Sequence, residues 1–301
     1  AFFLATLLES GITIVIVFCG LFFMLPLIVP LSGSIQVTAA LFLSAAAACT
    51  AQSGLALSSP GYEDSAGATL RLLRYIGSLD GLLPMCLLVW IFLIQARPAH
   101  GNPLMGLGVL AAVLAALLFL YGLFLAHRRD TDELALVILG MTVLTSGTAV
   151  WIGFSPLPAN FFLGVCLVNL TREKEKIYQL LVSIEKPVYL ILLMFLGARW
   201  QVPGVWIVVP AAVYGMLRVG GKMAGGLTAT RVLPALYGYP RLLGMGLLEQ
   251  GGLALAILLD FQHRFSGTQV PVAVGAALLA VVLAQAAAPY FAYQLLKNKN
   301  P

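Results

Sequence analysis

Four polar side chains interrupt apolar stretches of the sequence and are the residues that could do chemistry there. Asp80 and Glu249 are carboxylates, Lys222 is an amine and Gln52 is an amide. A charged side chain at the centre of a bilayer costs at least about 2.5–3.5 kcal/mol on insertion scales, so such residues are usually functional. Their usual task is to bind an ion or a proton that crosses the membrane, which makes Asp80 the first candidate site residue.

The four side chains lie at a similar predicted depth. Each is eight or nine residues from a residue that marks the predicted cytoplasmic end of its span. Because a helix rises 1.5 Å per residue, this distance is about 12–14 Å, close to the middle of a hydrocarbon core about 30 Å thick. The markers are Arg71 for Asp80, Arg231 for Lys222, Arg241 for Glu249 and Pro60 for Gln52. We therefore expect the four groups to meet at one level.

Two of these side chains lie in stretches that favour a break in a helix, residues 49–54 and 248–252. Unwound backbone at membrane depth is tolerated only where protein or water satisfies its polar groups. A pair of broken helices in the two halves of a chain is the best sequence indication of a transporter binding site. The alternative is that each stretch is a glycine-containing kink. The residues concerned are Thr50, Gln52, Ser53 and Gly54, and Glu249, Gln250, Gly251 and Gly252.

Two basic residues share one face of a predicted span, since Arg218 and Lys222 are four positions apart. A lysine exchanges its proton far more readily than an arginine. Lys222 is therefore the expected partner of Asp80, and Arg218 is expected to be a fixed counter-charge to that site or to Glu249. The alternative is a structural ion pair that never opens.

Two weaker features concern the packing and the ends of the spans. Gly221 and Gly225 are four residues apart, a spacing that allows two helices to approach closely. Glu9, Asp260 and His263 are interpreted as ordinary residues of the membrane interface, because each lies near the end of a predicted span.

The composition indicates which elements must position these residues. The 301-residue chain is 60% hydrophobic and only 10% charged, with a mean hydropathy of +0.98. A span needs about 20 mainly apolar residues, so the sequence predicts an all-α polytopic membrane protein. Residues 171–186 are interpreted as an amphipathic helix on the membrane surface, or as a solvated linker helix. Ten spans are predicted, at about 3–29, 36–58, 70–95, 103–126, 133–152, 156–170, 187–200, 203–230, 241–262 and 271–296.

The distribution of charge predicts the orientation and excludes several kinds of partner. Twelve of the seventeen Lys and Arg residues fall on one side of the predicted spans and three on the other, which places the first side and the C-terminus in the cytoplasm. The net charge of +5 is spread over short loops, so no nucleic-acid partner is expected. The four cysteines are isolated, and His100 and His127 lack metal-ligand spacing. No metal or cofactor beyond a transported ion is expected.

Four stretches along nearly the whole chain resemble the monovalent cation:proton antiporters, in particular their Kef/NapA-like branch. Residues 45–57 resemble the first broken helix of that family. Residues 77–81 resemble its Asn-Asp or Asp-Asp site, with Asp80 at the second position. Residues 217–226 are similar to the span with the family's basic residue, and 241–256 are similar to the second broken helix.

The resemblance implies an inverted-repeat fold of the NhaA/NapA type with two crossed broken helices. Residues 1–301 would form one transmembrane antiporter domain, with core helices at about 36–95 and 187–262 and the other spans in a scaffold that dimerises. Family members usually have about 13 spans, so the first few would precede Ala1. The implied location is a bacterial inner, or plasma, membrane.

The resemblance also implies exchange of Na⁺ or K⁺ for protons. Asp80 would bind either the cation or the proton, with Thr50, Gln52 and Ser53 as further cation ligands and with Lys222 and Arg218 as charge partners. A single core carboxylate predicts one proton per cation. The expected partners are the cation, the proton, the lipid bilayer and a second copy of the chain.

Leu79 departs from the family pattern, because many members have Asn or Asp at the position before the key aspartate. The loss of that ligand favours an alternative, a membrane sensor or subunit that keeps the fold but does not transport. A second alternative is a channel-like or anion-coupled carrier in which Lys222 or Arg218 attracts the substrate. The chain lacks GxSxG and HExxH motifs, so an enzyme is not expected.

Overall fold

The computed structural model describes residues 2–28, 33–51, 63–95, 103–125, 131–170, 174–200, 204–265 and 270–297. Within these ranges the regular structure is entirely helical, with no strand. Three short 3₁₀ segments, at Val205–Ile207, Pro234–Leu236 and Leu243–Leu247, accompany the α-helices. The α-helices of the described residues are α1 (Phe2–Ile28), α2 (Gly33–Ala48), α3 (Glu63–Leu79), α4 (Leu82–Gln95), α5 (Pro103–Leu125), α6 (Thr131–Ile152), α7 (Pro156–Leu170), α8 (Lys174–Arg199), α9 (Val208–Val232), α10 (Gly252–Arg264) and α11 (Val270–Lys297).

Seven helical stretches of the described residues are long and apolar enough to cross a bilayer. They are Phe2–Leu27, Gly67–Ile94, Leu104–Gly122, Glu133–Ile152, Lys174–Ala198, Val205–Val232 and Val270–Lys297. Two shorter apolar helices, Ile35–Ala48 and Pro156–Leu170, accompany them. The prediction of an all-helical, multi-pass membrane protein is therefore confirmed. The count of ten spans stays a prediction.

Two boundaries differ from the sequence-based ones. A surface helix ending at residue 186 and a new span from residue 187 were expected, but α8 continues from Lys174 to Arg199. Pro187 lies inside this helix. A proline removes one backbone hydrogen bond, but apolar helices of membrane proteins tolerate this loss and continue past it. The separation of residues 171–186 from 187–200 is therefore wrong.

The expected span at 70–95 is interrupted at its centre, where Asp80 and Gly81 form a turn between α3 and α4. Pro84 explains the position of this turn. A proline cannot donate to the carbonyl oxygen four residues earlier, and its ring clashes with that carbonyl, which here belongs to Asp80. The turn places the Asp80 carboxylate at a helix break instead of on a helix face.

The chain divides into two compact units, Ala1–Pro84 with Leu192–Pro301, and Met85–Ile191. The first has a core that includes Leu72, Leu73 and Leu247. The second has a separate core in which Leu117, Ile138 and Leu163 take part. The candidate site residues that the structure describes all belong to the first unit. The predicted division into a moving core and a scaffold stays a prediction.

Helices α1 and α9 of the first unit approach closely through two glycines. A Cβ atom at Gly225 would lie 2.7 Å from the main-chain oxygen of Glu9, and one at Gly221 would lie 3.1 Å from Thr13 Cα. The close approach predicted for this glycine pair is therefore confirmed. It brings α1 directly against the part of α9 that carries Lys222.

Candidate functional site

Lys222 is the centre of a buried group of charges. Its side chain is fully buried, and its ammonium donates hydrogen bonds to Ala48 O at 2.6 Å and Thr50 Oγ1 at 2.9 Å. The same nitrogen lies 3.1 Å from Glu9 Oε1 and 3.6 Å from Asp80 Oδ2. One ammonium therefore contacts two carboxylates, a hydroxyl and the end of α2.

Asp80 is buried and incompletely hydrogen-bonded. Its side chain is 3% exposed, and its main-chain nitrogen donates to Ile76 O at 2.9 Å. Within the described part of the chain, Asp80 Oδ2 has no hydrogen-bond partner, and its 3.6 Å contact with Lys222 is longer than a hydrogen bond. This oxygen can therefore accept a proton or contact a cation without first breaking a hydrogen bond to those residues.

Glu9 belongs to the same group, so its interpretation as an interface residue is wrong. Its side chain is fully buried, and Oε2 accepts hydrogen bonds from Ser10 Oγ and from the Lys222 ammonium, both at 3.3 Å. The Thr13 hydroxyl lies 2.9 Å from the Glu9 main-chain oxygen and 3.3 Å from Oε1. Four polar residues between positions 6 and 13 of a mainly apolar helix, Thr6, Glu9, Ser10 and Thr13, were the sequence signal that could have identified this carboxylate.

The two stretches interpreted as helix breaks lie against each other. After α2 ends at Ala48, the main-chain nitrogen of Ala51 donates to Glu249 O at 3.0 Å. The Thr50 hydroxyl donates to Leu247 O at 3.3 Å, at the end of a 3₁₀ segment. Residues 248–251 are non-helical, and α10 begins at Gly252. We call this contact between the two breaks the crossing.

Several predicted site residues contribute to the crossing through their main chains. Glu249 is half-buried and provides its main-chain oxygen. At Gly251 a Cβ atom would lie 3.0 Å from Ala51 Cβ, so a small residue suits this position. Gln52 and Ser53, which were expected to bind a cation, lie outside the described residues.

Arg218 joins the two breaks through their main-chain oxygens. Its Nε donates to Ala47 O at 3.1 Å, and its Nη1 donates to Leu248 O. Its Nη2 lies 3.4 Å from Cys49 O, 3.4 Å from Leu247 O and 3.3 Å from Glu249 O. The described hydrogen bonds of Arg218 thus go to backbone carbonyls, whereas the sequence suggested a counter-charge to a carboxylate.

The exposed carbonyl end of α2 explains this arrangement. The last four carbonyl groups of a helix lack intrahelical partners and carry partial negative charge. Gln250 Nε2 donates to Ala46 O at 2.9 Å, Arg218 donates to the next carbonyl and Lys222 to the one after. Side chains from α9 and from the second break therefore allow α2 to end inside an apolar protein.

Tyr214 is a further residue of this region that the sequence analysis missed. Its hydroxyl donates to Leu43 O at 3.4 Å and lies 3.3 Å from Gln250 Nε2. Tyr214, Arg218 and Lys222 are spaced four residues apart and form one polar stripe along α9. The continuation of the Arg218–Lys222 spacing towards the start of the helix was the available signal.

Comparisons with known proteins give no closer identification. A scan against protein-family models finds no match, and a search of curated proteins finds none. Among the described residues, no group of three or more His, Cys, Asp and Glu side chains could hold a metal ion. The fold defines the class, an all-helical multi-pass membrane protein. The site adds a buried carboxylate–ammonium–carboxylate arrangement beside two helix breaks.

Proposed function

We propose that the protein exchanges a monovalent cation, Na⁺ or K⁺, for protons across the membrane, and that Asp80 binds both in turn. The supporting observation is the contact between buried Asp80 Oδ2 and the Lys222 ammonium at 3.6 Å, beside the crossing. In the exchange, the protonated carboxyl group releases its proton to water on one side. The cation then takes the place of the proton on the same carboxylate.

The charges around Asp80 suit an exchange of one cation for one proton. The four buried residues Glu9, Asp80, Arg218 and Lys222 carry formal charges that sum to zero when Asp80 is ionised. Binding of a proton to Asp80 and binding of a monovalent cation to Asp80 then each add one positive charge to the site. The expectation of a single core carboxylate is wrong, because Glu9 is also present. Lys222 compensates its charge, so we keep one proton per cation as the proposal.

We extend the proposal to the family and its fold. The order of the first break, the Asp80 turn, the basic residues of α9 and the second break supports a relation to the cation:proton antiporters. Under this proposal the protein has ten spans in this chain, works as a homodimer in a bacterial inner membrane and has a cytoplasmic C-terminus.

The test is cation-driven proton movement in liposomes. Purified protein is reconstituted with a pH-sensitive dye inside, and Na⁺ or K⁺ is added outside. We expect protons to leave the liposomes that contain the wild type, so that the dye reports a more alkaline interior. Asp80→Asn is expected to lose this response. Asp260→Asn is the matched control, because Asp260 pairs with Arg264 in α10, outside the Lys222 group. A folded wild type that moves no protons with either cation would refute the exchanger and favour the non-transporting sensor or subunit.

A further inference from the structure

We propose that Glu9 is a positioning residue that keeps Lys222 charged while a proton or a cation occupies Asp80. This inference rests on the proposed function and deepens it. Lys222 would retain one permanent carboxylate partner and one exchangeable partner. It would then not carry a proton across the membrane, and Asp80 would be the only group that does.

The distances from the ammonium distinguish the two carboxylates. Lys222 Nζ lies 3.1 Å and 3.3 Å from the two oxygens of Glu9, but 3.6 Å from Asp80 Oδ2. Lys222 therefore donates a hydrogen bond to Glu9, whereas its contact with Asp80 Oδ2 is an ion pair without a hydrogen bond.

Glu9 also has more hydrogen-bond donors around it than Asp80 has. An ionised carboxylate accepts hydrogen bonds and donates none. Glu9 is contacted by the hydroxyls of Ser10 and Thr13 in addition to Lys222. Asp80 has one hydroxyl neighbour, Thr50, and its Oδ2 has only its ion-pair contact with Lys222 among the described residues. The surroundings of Glu9 therefore suit a permanent negative charge, whereas those of Asp80 leave an oxygen available to a ligand.

The backbone of α1 around Glu9 packs directly against α9. The glycine contacts at Gly221 and Gly225 bring the α1 backbone against α9 on either side of Lys222. Asp80 instead lies in the turn between α3 and α4. A displacement of this turn would change the distance from Asp80 to Lys222, while the Glu9–Lys222 contact is maintained by backbone packing.

These contacts determine what happens when a ligand neutralises Asp80. The charged groups around Lys222 are Glu9 from α1, Asp80 from the turn and Arg218 from α9 itself. Without Glu9, binding of a cation at Asp80 would leave the Lys222 ammonium buried without an ionised partner, and an unpaired buried charge is strongly unfavourable. Lys222 would then release its own proton each time a cation or a proton occupied Asp80, and binding of a cation to ionised Asp80 would release one proton that the wild type keeps.

The experiment measures the protons released when the transported cation, Na⁺ or K⁺, binds to the purified protein in weakly buffered detergent solution. The pH is high enough that Asp80 is ionised before the cation is added. We expect the wild type to release no proton, because Lys222 stays charged beside Glu9. Glu9→Gln is expected to release about one proton per bound cation, because Lys222 then loses its last ionised partner. Glu9→Asp restores the carboxylate and is expected to release none.

A stability measurement tests the pair even if transport fails. We expect the midpoint of thermal unfolding in detergent to fall in Glu9→Gln and in Lys222→Gln, and to fall less in the double variant than the two single losses predict together. Strictly additive losses, or a Glu9→Gln variant that releases no proton when the cation binds, would overturn the proposal. A wild type without any proton flux would refute the exchanger, while coupled losses in unfolding would still establish Glu9 as the partner of Lys222.

Discussion

Replacement of Arg218 by methionine is expected to destabilise the crossing strongly. Methionine has a comparable length but cannot donate hydrogen bonds. Arg218 contacts five main-chain oxygens, and two of these, on Leu247 and Glu249, also accept hydrogen bonds from Thr50 and Ala51. The remaining three, on Ala47, Cys49 and Leu248, would lose the donor that the structure gives them.

The size of the effect follows from these three carbonyls. A buried polar group left without its partner costs about 1–3 kcal/mol. Water that reaches the site and the removal of a buried guanidinium both reduce the loss, so values near the lower limit apply. We therefore expect Arg218→Met to lower the free energy of unfolding by about 3–5 kcal/mol. In a thermal scan this corresponds to a fall in the midpoint on the order of 10 °C.

The assay is thermal unfolding in detergent, followed by tryptophan fluorescence. Arg231→Met is the matched control, because Arg231 is exposed in the last turn of the same helix. The control is expected to change the free energy of unfolding by at most about 0.5 kcal/mol. Arg218→Lys should recover little, since one ammonium cannot reach carbonyls of both breaks as the planar guanidinium does. An Arg218→Met midpoint equal to that of Arg231→Met would refute the reasoning.

Two further predictions concern packing and stoichiometry. Gly225→Ala places a Cβ atom 2.7 Å from the Glu9 main-chain oxygen and should lower the free energy of unfolding by about 1–3 kcal/mol, measured by thermal unfolding. Gly220→Ala is the control, because a Cβ atom there meets nothing within 4 Å, and equal midpoints for the two variants would contradict the packing argument. The proposed exchange should show no net flux when the Na⁺ and proton concentration gradients are equal. If net flux instead stops when the Na⁺ concentration ratio equals the square of the proton concentration ratio, the protein exchanges two protons per cation.

The sequence predicted the components of the site better than their contacts. Asp80 and Lys222 could be found because a charge in an apolar span is rare and because their predicted depths agree. Glu9 was missed because it lies near the end of a predicted span and was therefore assigned to the membrane interface, whereas the close contact of α1 with α9 buries it. Burial of this kind depends on which helix becomes the neighbour, and one sequence does not contain that information directly.

The acceptors of Arg218 could not be predicted from side-chain types at all. They are backbone carbonyls, which every residue carries, and they are exposed only because α2 ends at Ala48. Pro84 lies four residues after Asp80 and favours the turn there, but Pro26, Pro187 and Pro289 lie inside continuous helices, so a proline alone does not predict a break. The continuous α8 depends on tolerance of Pro187 inside a helix, which the local sequence does not determine.

The guanidinium at the crossing has a consequence for how the protein responds to its medium. A free metal ion bound to backbone carbonyls dissociates when its concentration falls, and a structure that needs it then loosens. Arg218 supplies an equivalent positive charge that is covalently attached to α9 and cannot be washed away. The architecture around the breaks should therefore persist in solutions of choline or other bulky salts, so ion depletion can probe Asp80 without dismantling its surroundings.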